Sequence, residues 1–183
     1  ISLAENLANK GAQVTLVLGP TQLDVHGSEI QLIRVESAEE MFKAANQYFK
    51  SSNVTILAAA VADFKPANYA VSKIKKASAS MNIALTNTPD IAATLGKNKS
   101  EDQILVGFAL ETDHEIENAM KKLVAKNLDL IVLNSLKHEG AGFQYDTNKI
   151  TIITKNNIRQ DFELKSKVDV AEDIVNAIKA YSN

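Results

Sequence analysis

The chain has 183 residues, a formal net charge of −2 and no cysteine. This length suits one domain with a substantial core, and the near-neutral charge does not indicate a nucleic-acid-binding protein. The lack of cysteine excludes disulfides, thiolate metal sites and a cysteine nucleophile. No apolar run approaches a membrane span, and the first residues do not resemble a secretion signal. We therefore expect a soluble, cytoplasmic protein.

The first half of the chain predicts helices that alternate with strands. The predicted elements are a helix over 1–9, strands over 14–18 and 32–35, a helix over 37–50 and a buried strand that begins at Val54. The second of these helices begins with a capping box at Ser37. Because no N-cap precedes Ile1, we expect that a first strand and a phosphate-binding loop come before it.

The second half continues the alternation and ends in a hairpin and a helix. Its predicted elements are an edge strand over 82–86, a helix over 88–96, a strand over 104–109, a helix that ends near Lys126, a strand over 128–133, a hairpin of 149–154 and 159–164, and a helix capped by Ser166. This pattern predicts an α/β fold with a mostly parallel sheet, helices on both faces and a terminal β-hairpin. The chain is read as one domain.

The stretch 54–76 carries the strongest signal for a binding site. Small residues at 58–60 would let a ligand approach the backbone at the end of a buried strand, and Asp63 adds a carboxylate there. Lysines follow at 73, 75 and 76. Together they suggest a polyanion site, such as one for a nucleoside triphosphate with a metal ion. The alternative is a solvated loop followed by a basic surface.

Several other patterns have a functional and a simpler interpretation. Tyr69 and Lys73 have the Tyr-x-x-x-Lys spacing of short-chain reductases, which works only on one helix face. The glycine-rich segment 139–143 could be a phosphate lid or an ordinary turn, and Lys122 and Lys126 share a helix face, where lysines usually decorate the surface. The three histidines are interpreted as surface residues without metal-ligand spacing: His26, His114 and His138.

An ordered set of short motifs spans almost the whole chain. The motifs are Gly-Ala-x-Val-Thr-Leu-Val-x-Gly-Pro at 11–20, Ala-Ala-Ala-Val-Ala-Asp at 58–63, Lys-Ile-Lys-Lys at 73–76, Thr-Pro-Asp-Ile at 88–91, Gly-Phe-Ala-x-Glu-Thr at 107–112, Lys-Asn-Leu-Asp at 126–129 and Gly-Phe-x-x-Asp-x-Asn at 142–148. In this order they resemble the phosphopantothenoylcysteine synthetase family, the phosphopantothenate–cysteine ligases of coenzyme A biosynthesis. This domain is usually the C-terminal half of a bifunctional bacterial protein.

The resemblance implies a Rossmann-like domain and a CTP-dependent ligase. Such an enzyme activates 4′-phosphopantothenate as an acyl-cytidylate and then joins it to cysteine, with Mg²⁺ offsetting the phosphate charge. It also implies a homodimer, and FMN only in a linked decarboxylase domain outside this segment. The alternatives are an NAD(P)-dependent reductase that uses Tyr69 and Lys73, or a non-catalytic nucleotide-binding module.

The resemblance also assigns individual residues. Lys73 resembles the family lysine that contacts the triphosphate and is the expected catalytic residue. The implied nucleotide contacts are Ala59, Ala60, Asp63, Ile91, Phe108, Lys122 and Lys126. Lys75 and Lys76 complete the lysine motif or support the dimer, Asn134 is a candidate ligand contact, and the metal ligands are unknown. The family's Asn-x-Ser-Ser-Gly-Lys-Met-Gly loop would lie before Ile1, so this segment alone is expected to bind nucleotide poorly.

Overall fold

The computed structural model describes residues 1–70, 72–73, 81–135 and 145–182. The helices are α1 (Ser2–Asn9), α2 (Ala38–Phe49), α3 (Ile91–Asn98), α4 (Glu115–Ala125) and α5 (Lys167–Tyr181). The strands are β1 (Val14–Leu18), β2 (Ile30–Arg34), β3 (Val54–Leu57), β4 (Phe64–Pro66), β5 (Leu85–Asn87), β6 (Ile104–Glu111), β7 (Leu130–Ser135), β8 (Thr147–Asn148), β9 (Ile150–Thr154), β10 (Arg159–Asp161) and β11 (Lys165–Ser166). None of these helices is long and apolar enough to cross a membrane.

A five-stranded sheet in the order β10-β9-β7-β6-β3 forms the centre of the fold. Strands β3, β6 and β7 are parallel, β9 is antiparallel to β7, and β10 is antiparallel to β9. Strands β9 and β10 are the predicted terminal hairpin, and Asn157 in their connection adopts a φ of 61°, which suits a tight turn. The predicted α/β class is confirmed.

Alternate residues of the central strands point to opposite faces of the sheet. One face, which includes Leu105 and Ile131, packs against α2, α3 and α4. The other face, which includes Val106 and Val132, packs against α5, with Leu3 of α1 at its margin. Helices therefore cover both faces, and the central strands are buried as the continuous apolar runs predict.

Strands β1 and β2 form a separate parallel pair beside the main sheet. Helix α1 packs against β1, β2 and α5, while α2 packs against β1 and α3. Within the described ranges, no strand pairs with the free edge of β1 or with the free edge of β3. The two helices thus join the pair to the main sheet, although the two sheets share no hydrogen-bonded strand.

The structure corrects several predicted boundaries. The predicted edge strand covers Leu85–Asn87 and not 82–86, β6 extends to Glu111, and β7 covers Leu130–Ser135 and not 128–133. Strand β2 begins at Ile30 and not at residue 32, and β3 ends at Leu57, where the chain continues into small residues that pair poorly in sheets. Helix α3 is capped by Asp90, whose Oδ1 accepts a hydrogen bond from the Ala93 N–H at 3.0 Å. Thr88, the predicted cap, instead bonds to the preceding loop.

A buried ionic network ties together the amino-terminal ends of β6 and β7. The Lys99 ammonium lies 2.5 Å from Asp129 Oδ2, and both side chains are less than one-tenth exposed. The same oxygen accepts the Leu105 N–H at 2.8 Å, and Tyr181 Oη lies 3.5 Å from the other oxygen. Burial and the Asp129 carboxylate raise the pKa of Tyr181. These contacts lie at the edge opposite the carboxyl ends of the parallel strands.

Helix α3 approaches the end of α4 too closely for a larger residue at position 96. A Cβ on Gly96 would lie 1.9 Å from the Lys126 carbonyl oxygen, and Asn127 Nδ2 donates to the Gly96 carbonyl at 2.8 Å. Asn127 itself has a φ of 48°, which asparagine tolerates better than most residues. Gly96 therefore sets the distance between the two helices.

We expect Gly96→Ala to lower the free energy of unfolding by about 3 kcal/mol, because backbone must move to relieve the overlap. Urea unfolding would measure the loss. The matched control is Gly107→Ala, whose Cβ would meet the tip of the Leu128 side chain at 2.5 Å. That tip can rotate away, so the control should cost less. A smaller loss at position 96 than at 107 would contradict this explanation.

Candidate functional site

The candidate site lies at the carboxyl ends of β3, β6 and β7, a region called the crevice below. These parallel strands run in one direction, so the residues that follow them meet at one edge of the sheet, where α/β proteins bind ligands. The crevice is bordered by 58–63 after β3, 88–91 before α3, Glu111 at the end of β6, Asn134 near the end of β7, and α4.

The loop after β3 presents small residues and one carboxylate. Ala59, Ala60 and Asp63 are all exposed. The Asp63 carbonyl accepts the Thr88 N–H at 2.9 Å, and Thr88 Oγ1 donates to the Ala62 carbonyl at 2.5 Å. These two bonds fasten the segment before α3 to the loop after β3. The structure thus brings together two of the predicted nucleotide-binding segments, 58–63 and 88–91.

Ile91 is only 9% exposed and belongs to the core between α3 and the sheet. Its side chain faces the core, so a nucleotide contact at this position would involve the backbone at the start of α3. Asp90, directly before it, has an exposed carboxylate that caps the helix. The amino terminus of a helix favours negative charge through its free N–H groups.

Helix α4 presents a polar stripe toward the crevice. Lys122 Nζ lies 2.5 Å from Glu111 Oε1, and Lys126 Nζ lies 3.3 Å from Asp90 Oδ2. Asn118, one turn before Lys122, donates to the Asp113 carbonyl at 3.0 Å. Both predicted lysines are therefore at the site, and each is paired with a carboxylate of another element.

Sequence reasoning missed the roles of Glu111 and Asp90 as partners of these lysines. The signal was present, since Glu111 follows an apolar strand and Asp90 follows a proline at the start of a helix. The sequence does not show that these side chains are close in space, because the paired residues are 11 and 36 positions apart along the chain. Only the packing of α4 against β6 and α3 brings the charges together.

Phe108 and Asn134 lie on the other face of the sheet from the α4 lysines. Phe108 is half-buried and packs against the core on the α5 side. Asn134 pairs in register with Leu110 and Ile150, and alternation along β6 and β7 puts it on the same face as Phe108. The Asn134 Oδ1 atom is buried and has no hydrogen-bond partner within the part of the chain that the structure describes. A buried acceptor of this kind costs stability unless a ligand supplies a donor.

Lys73 and Tyr69 are exposed, and Tyr69 retains 71% of its accessible surface. Neither residue is helical, and the described residues between them, Ala70 and Ser72, are not helical either. The reductase hypothesis requires both side chains on one helix face, so its geometric condition is not met. Lys75, Lys76, His138 and the segment 139–143 lie outside the described residues.

The remaining histidines and the carboxylates do not form a metal centre in the described ranges. His26 and His114 are exposed, as the sequence predicted, and His114 Nδ1 is 3.9 Å from Glu117. No group of three or more histidine, aspartate or glutamate side chains converges within the described part of the chain.

The chain matches one protein-family model over residues 1–181, and the family is described as the DNA/pantothenate metabolism flavoprotein C-terminal domain. It is 55% identical over 178 residues to a protein from an unknown prokaryotic organism named cysteine/cysteine sulfinic acid decarboxylase. It is 44% identical over 181 residues to the coenzyme A biosynthesis bifunctional protein CoaBC of Bacillus subtilis strain 168.

These alignments cover 97% and 99% of this chain but only 50% and 44% of the relatives. The chain thus spans about half the length of the curated relatives that it matches. Among solved structures, the C-terminal domain of the coenzyme A biosynthesis bifunctional protein CoaBC has a TM-score of 0.81 and 36% identity, covering 98% of this chain and 79% of that one. The predicted family resemblance is confirmed.

Proposed function

Because this chain belongs to the family of the DNA/pantothenate metabolism flavoprotein C-terminal domain, we propose that it is a phosphopantothenate–cysteine ligase. The reaction would join 4′-phosphopantothenate and L-cysteine with CTP as the co-substrate, as a step of coenzyme A biosynthesis. The observation that supports the proposal is that three of the ordered motifs, 58–63, 88–91 and 107–112, lie at the carboxyl ends of the parallel strands β3 and β6.

The proposed reaction has two balanced steps. The carboxylate of 4′-phosphopantothenate attacks the α-phosphorus of CTP, forms an acyl-cytidylate and releases pyrophosphate. The amine of cysteine then attacks the acyl carbon, forms the amide, loses a proton and releases CMP. Both steps gather several phosphate charges in one place, so the protein's contribution is to position the substrates and stabilise their charge.

The lysines of this chain suit that task. Lys122 and Lys126 approach the crevice from α4, and the exposed Lys73 follows the loop after β3. We assign Lys73 to the triphosphate as the catalytic cation, and Lys122 and Lys126 to the phosphates. A Mg²⁺ ion held by phosphate oxygens and one carboxylate, such as that of Asp63, would offset further charge.

The nucleoside would lie against the loop after β3. The exposed small residues Ala59 and Ala60 leave room for a flat ligand close to the backbone, and we assign Asp63, Ile91 and Phe108 as further nucleotide contacts. The choice of CTP over other nucleotides rests on the resemblance, since cytosine recognition through backbone groups leaves little trace in side-chain identity.

Asn134 is proposed as a ligand contact because its buried Oδ1 has no hydrogen-bond partner among the described residues. We expect Asn134→Leu to lower kcat/KM by about tenfold or more, while the free energy of unfolding stays equal or rises by about 1 kcal/mol, because an unsatisfied acceptor is removed. Steady-state kinetics and urea unfolding of the same preparation would measure both. A less stable variant with normal kcat/KM would show that Asn134 serves the fold and not the ligand.

We also propose that the intact domain contains one more strand and a phosphate-binding loop. The support is the pair of free edges on β1 and β3, which one additional strand between the two sheets could pair with. A loop that leads from such a strand into α1 would present backbone N–H groups to phosphates. If this is correct, hydrogen exchange of the intact protein should be slow for the backbone amides on both edges of β1 and on both edges of β3.

We propose that the chain forms a homodimer through the exposed apolar residues of β4 and β5, which together form the β4–β5 ribbon. This two-stranded sheet and its neighbouring residues expose five large side chains, namely Phe64, Tyr69, Met81, Ile83 and Leu85. Contiguous apolar surface of this kind commonly marks an interface, and Lys75 and Lys76 are assigned to its support. Sedimentation velocity should give a dimer, and Phe64→Ser with Leu85→Ser should shift it toward monomer.

In the longer protein, we propose a linked decarboxylase half that holds FMN, and a cytoplasmic location. The support is that the relatives are about twice the length of this chain and that one of them is named a bifunctional protein. The proposed ligase reaction uses no flavin, so an assay of pyrophosphate release tests it separately from the decarboxylase.

The proposed function is tested by pyrophosphate release from the intact protein. The assay contains Mg²⁺, 4′-phosphopantothenate and cysteine, with CTP, ATP, GTP or UTP supplied in turn. We expect release that depends on phosphopantothenate and is fastest with CTP. Omission of cysteine is the control for the first step, since the acyl-cytidylate can form without it. No release with any nucleotide would refute the ligase proposal and would favour a non-catalytic nucleotide-binding module.

A further inference from the structure

The ion pair between Glu111 and Lys122 differs from the other surface ion pairs of α4. Glu111 is the last residue of β6, and its side chain is only 15% exposed, whereas that of Lys122 is 45% exposed. The two charged atoms are 2.5 Å apart, and Asn118 Nδ2 lies 3.4 Å from the second oxygen of Glu111. The carboxylate is therefore held in place by its strand and its neighbours, while the lysine is the more exposed partner.

The position of Glu111 gives this contact a consequence for ligand binding. Residue 111 shares its sheet face with Ala109, which packs on the α4 side, so the carboxylate lies between the sheet and the helix that carries the lysines. A polyphosphate that binds Lys122 must approach a fixed negative charge, and it meets an ammonium whose charge Glu111 already partly offsets. Both effects oppose anion binding.

We propose that Glu111 is a positioning residue that holds Lys122 at the crevice when the site is empty and yields it to the incoming polyphosphate. Glu111 thereby limits the affinity for nucleotide and for pyrophosphate. In the ligase reaction this favours release of pyrophosphate after the first step. The inference rests on the proposed function only for the identity of the nucleotide. The electrostatic argument applies to any polyphosphate.

The test compares Glu111→Gln with Glu117→Gln in the intact protein. Glutamine keeps the size of the side chain and an acceptor for Lys122 and Asn118, but it removes the charge. Glu117 lies on α4, the helix that carries Lys122, and pairs with Lys121 at 2.6 Å, where both side chains are exposed. Its variant therefore also removes one negative charge, but outside the crevice. Isothermal titration with CTP and Mg²⁺, and separately with inorganic pyrophosphate and Mg²⁺, would measure the dissociation constants.

We expect Glu111→Gln to bind both ligands about three- to tenfold more tightly, a modest gain because the pair is partly exposed to solvent. Glu117→Gln should match the wild type. The urea midpoints of the two variants should be similar, and tighter binding without a gain in stability is a result that a purely structural contact would not produce. Equal or weaker binding by Glu111→Gln would overturn the proposal.

The failure of this inference can be told apart from the failure of the proposed function. If the wild type binds pyrophosphate but not CTP, the ligase proposal fails, and the role of Glu111 is judged on pyrophosphate alone. If the wild type binds CTP and Glu111→Gln gives no gain, the ligase proposal stands and the positioning role is wrong. If the wild type binds neither ligand, both are wrong.

Discussion

In the intact protein, Lys73→Gln is expected to slow pyrophosphate release by about 10²- to 10³-fold, the usual cost of removing one group that stabilises charge in a transition state. Glutamine keeps much of the length of lysine but carries no charge. Because Lys73 is exposed and takes part in no ion pair within the described ranges, the substitution should leave the urea midpoint unchanged. Pyrophosphate release at saturating CTP would give the loss in kcat.

The matched control for Lys73 is Lys43→Gln. Lys43 is also exposed, and it lies on α2 away from the crevice, so it tests whether the loss of one positive charge lowers activity through the general field of the protein. We expect this variant to keep near-normal turnover. Normal turnover of the Lys73 variant, or an equal loss in both variants, would remove Lys73 from the catalytic assignment.

The buried pair of Lys99 and Asp129 gives the largest expected effect on stability. Lys99→Met should lower the free energy of unfolding by about 3 kcal/mol or more, because it leaves the Asp129 carboxylate buried without its cation. The Leu105 N–H, at 2.8 Å, would be its nearest remaining donor. Methionine fills a similar volume, so the loss would reflect charge and not a cavity. Urea unfolding at neutral pH would measure it.

Lys121→Met is the control for that measurement. Lys121 also forms a close ion pair, 2.6 Å from Glu117, but both side chains are more than half exposed. Exposed pairs of this kind contribute about 0.3–0.5 kcal/mol on a helix. If Lys99→Met loses no more free energy of unfolding than Lys121→Met does, the Asp129 carboxylate is neutralised or hydrated in the Lys99→Met variant. The double variant Lys99→Met with Asp129→Leu should then recover little further stability.

The sequence predicted most of the fold because its local signals agree with the tertiary packing. The Ser166 cap and the inward face of α5 are examples, since Ser166 accepts the Asp169 N–H and Val170, Ile174 and Ile178 are buried. Boundaries were harder where a local preference met a tertiary contact. Thr88 had the chemistry of a cap, but its hydrogen bonds to Ala62 and Asp63 left Asp90 to cap α3.

The candidate site was less accessible from the sequence than the fold. The lysines of α4 were assigned through the family resemblance, since their spacing predicted only that they share a helix face, where lysines usually decorate the surface. Their carboxylate partners depend on how α4 docks on β6 and α3, which no local pattern specifies. Asn134 was identified by its place after an apolar strand, but the unpartnered state of its Oδ1 follows only from the packing around it.

The two edge strands of the central sheet differ in how readily they would pair with a strand of another molecule. Strand β10 has three exposed residues, Arg159, Gln160 and Asp161, and the charged pair among them is 2.9 Å apart. A short, charged edge of this kind resists pairing between molecules. The opposite edge, β3, is uncharged and mainly apolar over Val54–Leu57. When the additional strand proposed above does not cover β3, aggregation should therefore begin at β3, and a charged substitution at Thr55 should slow it more than any change on β10.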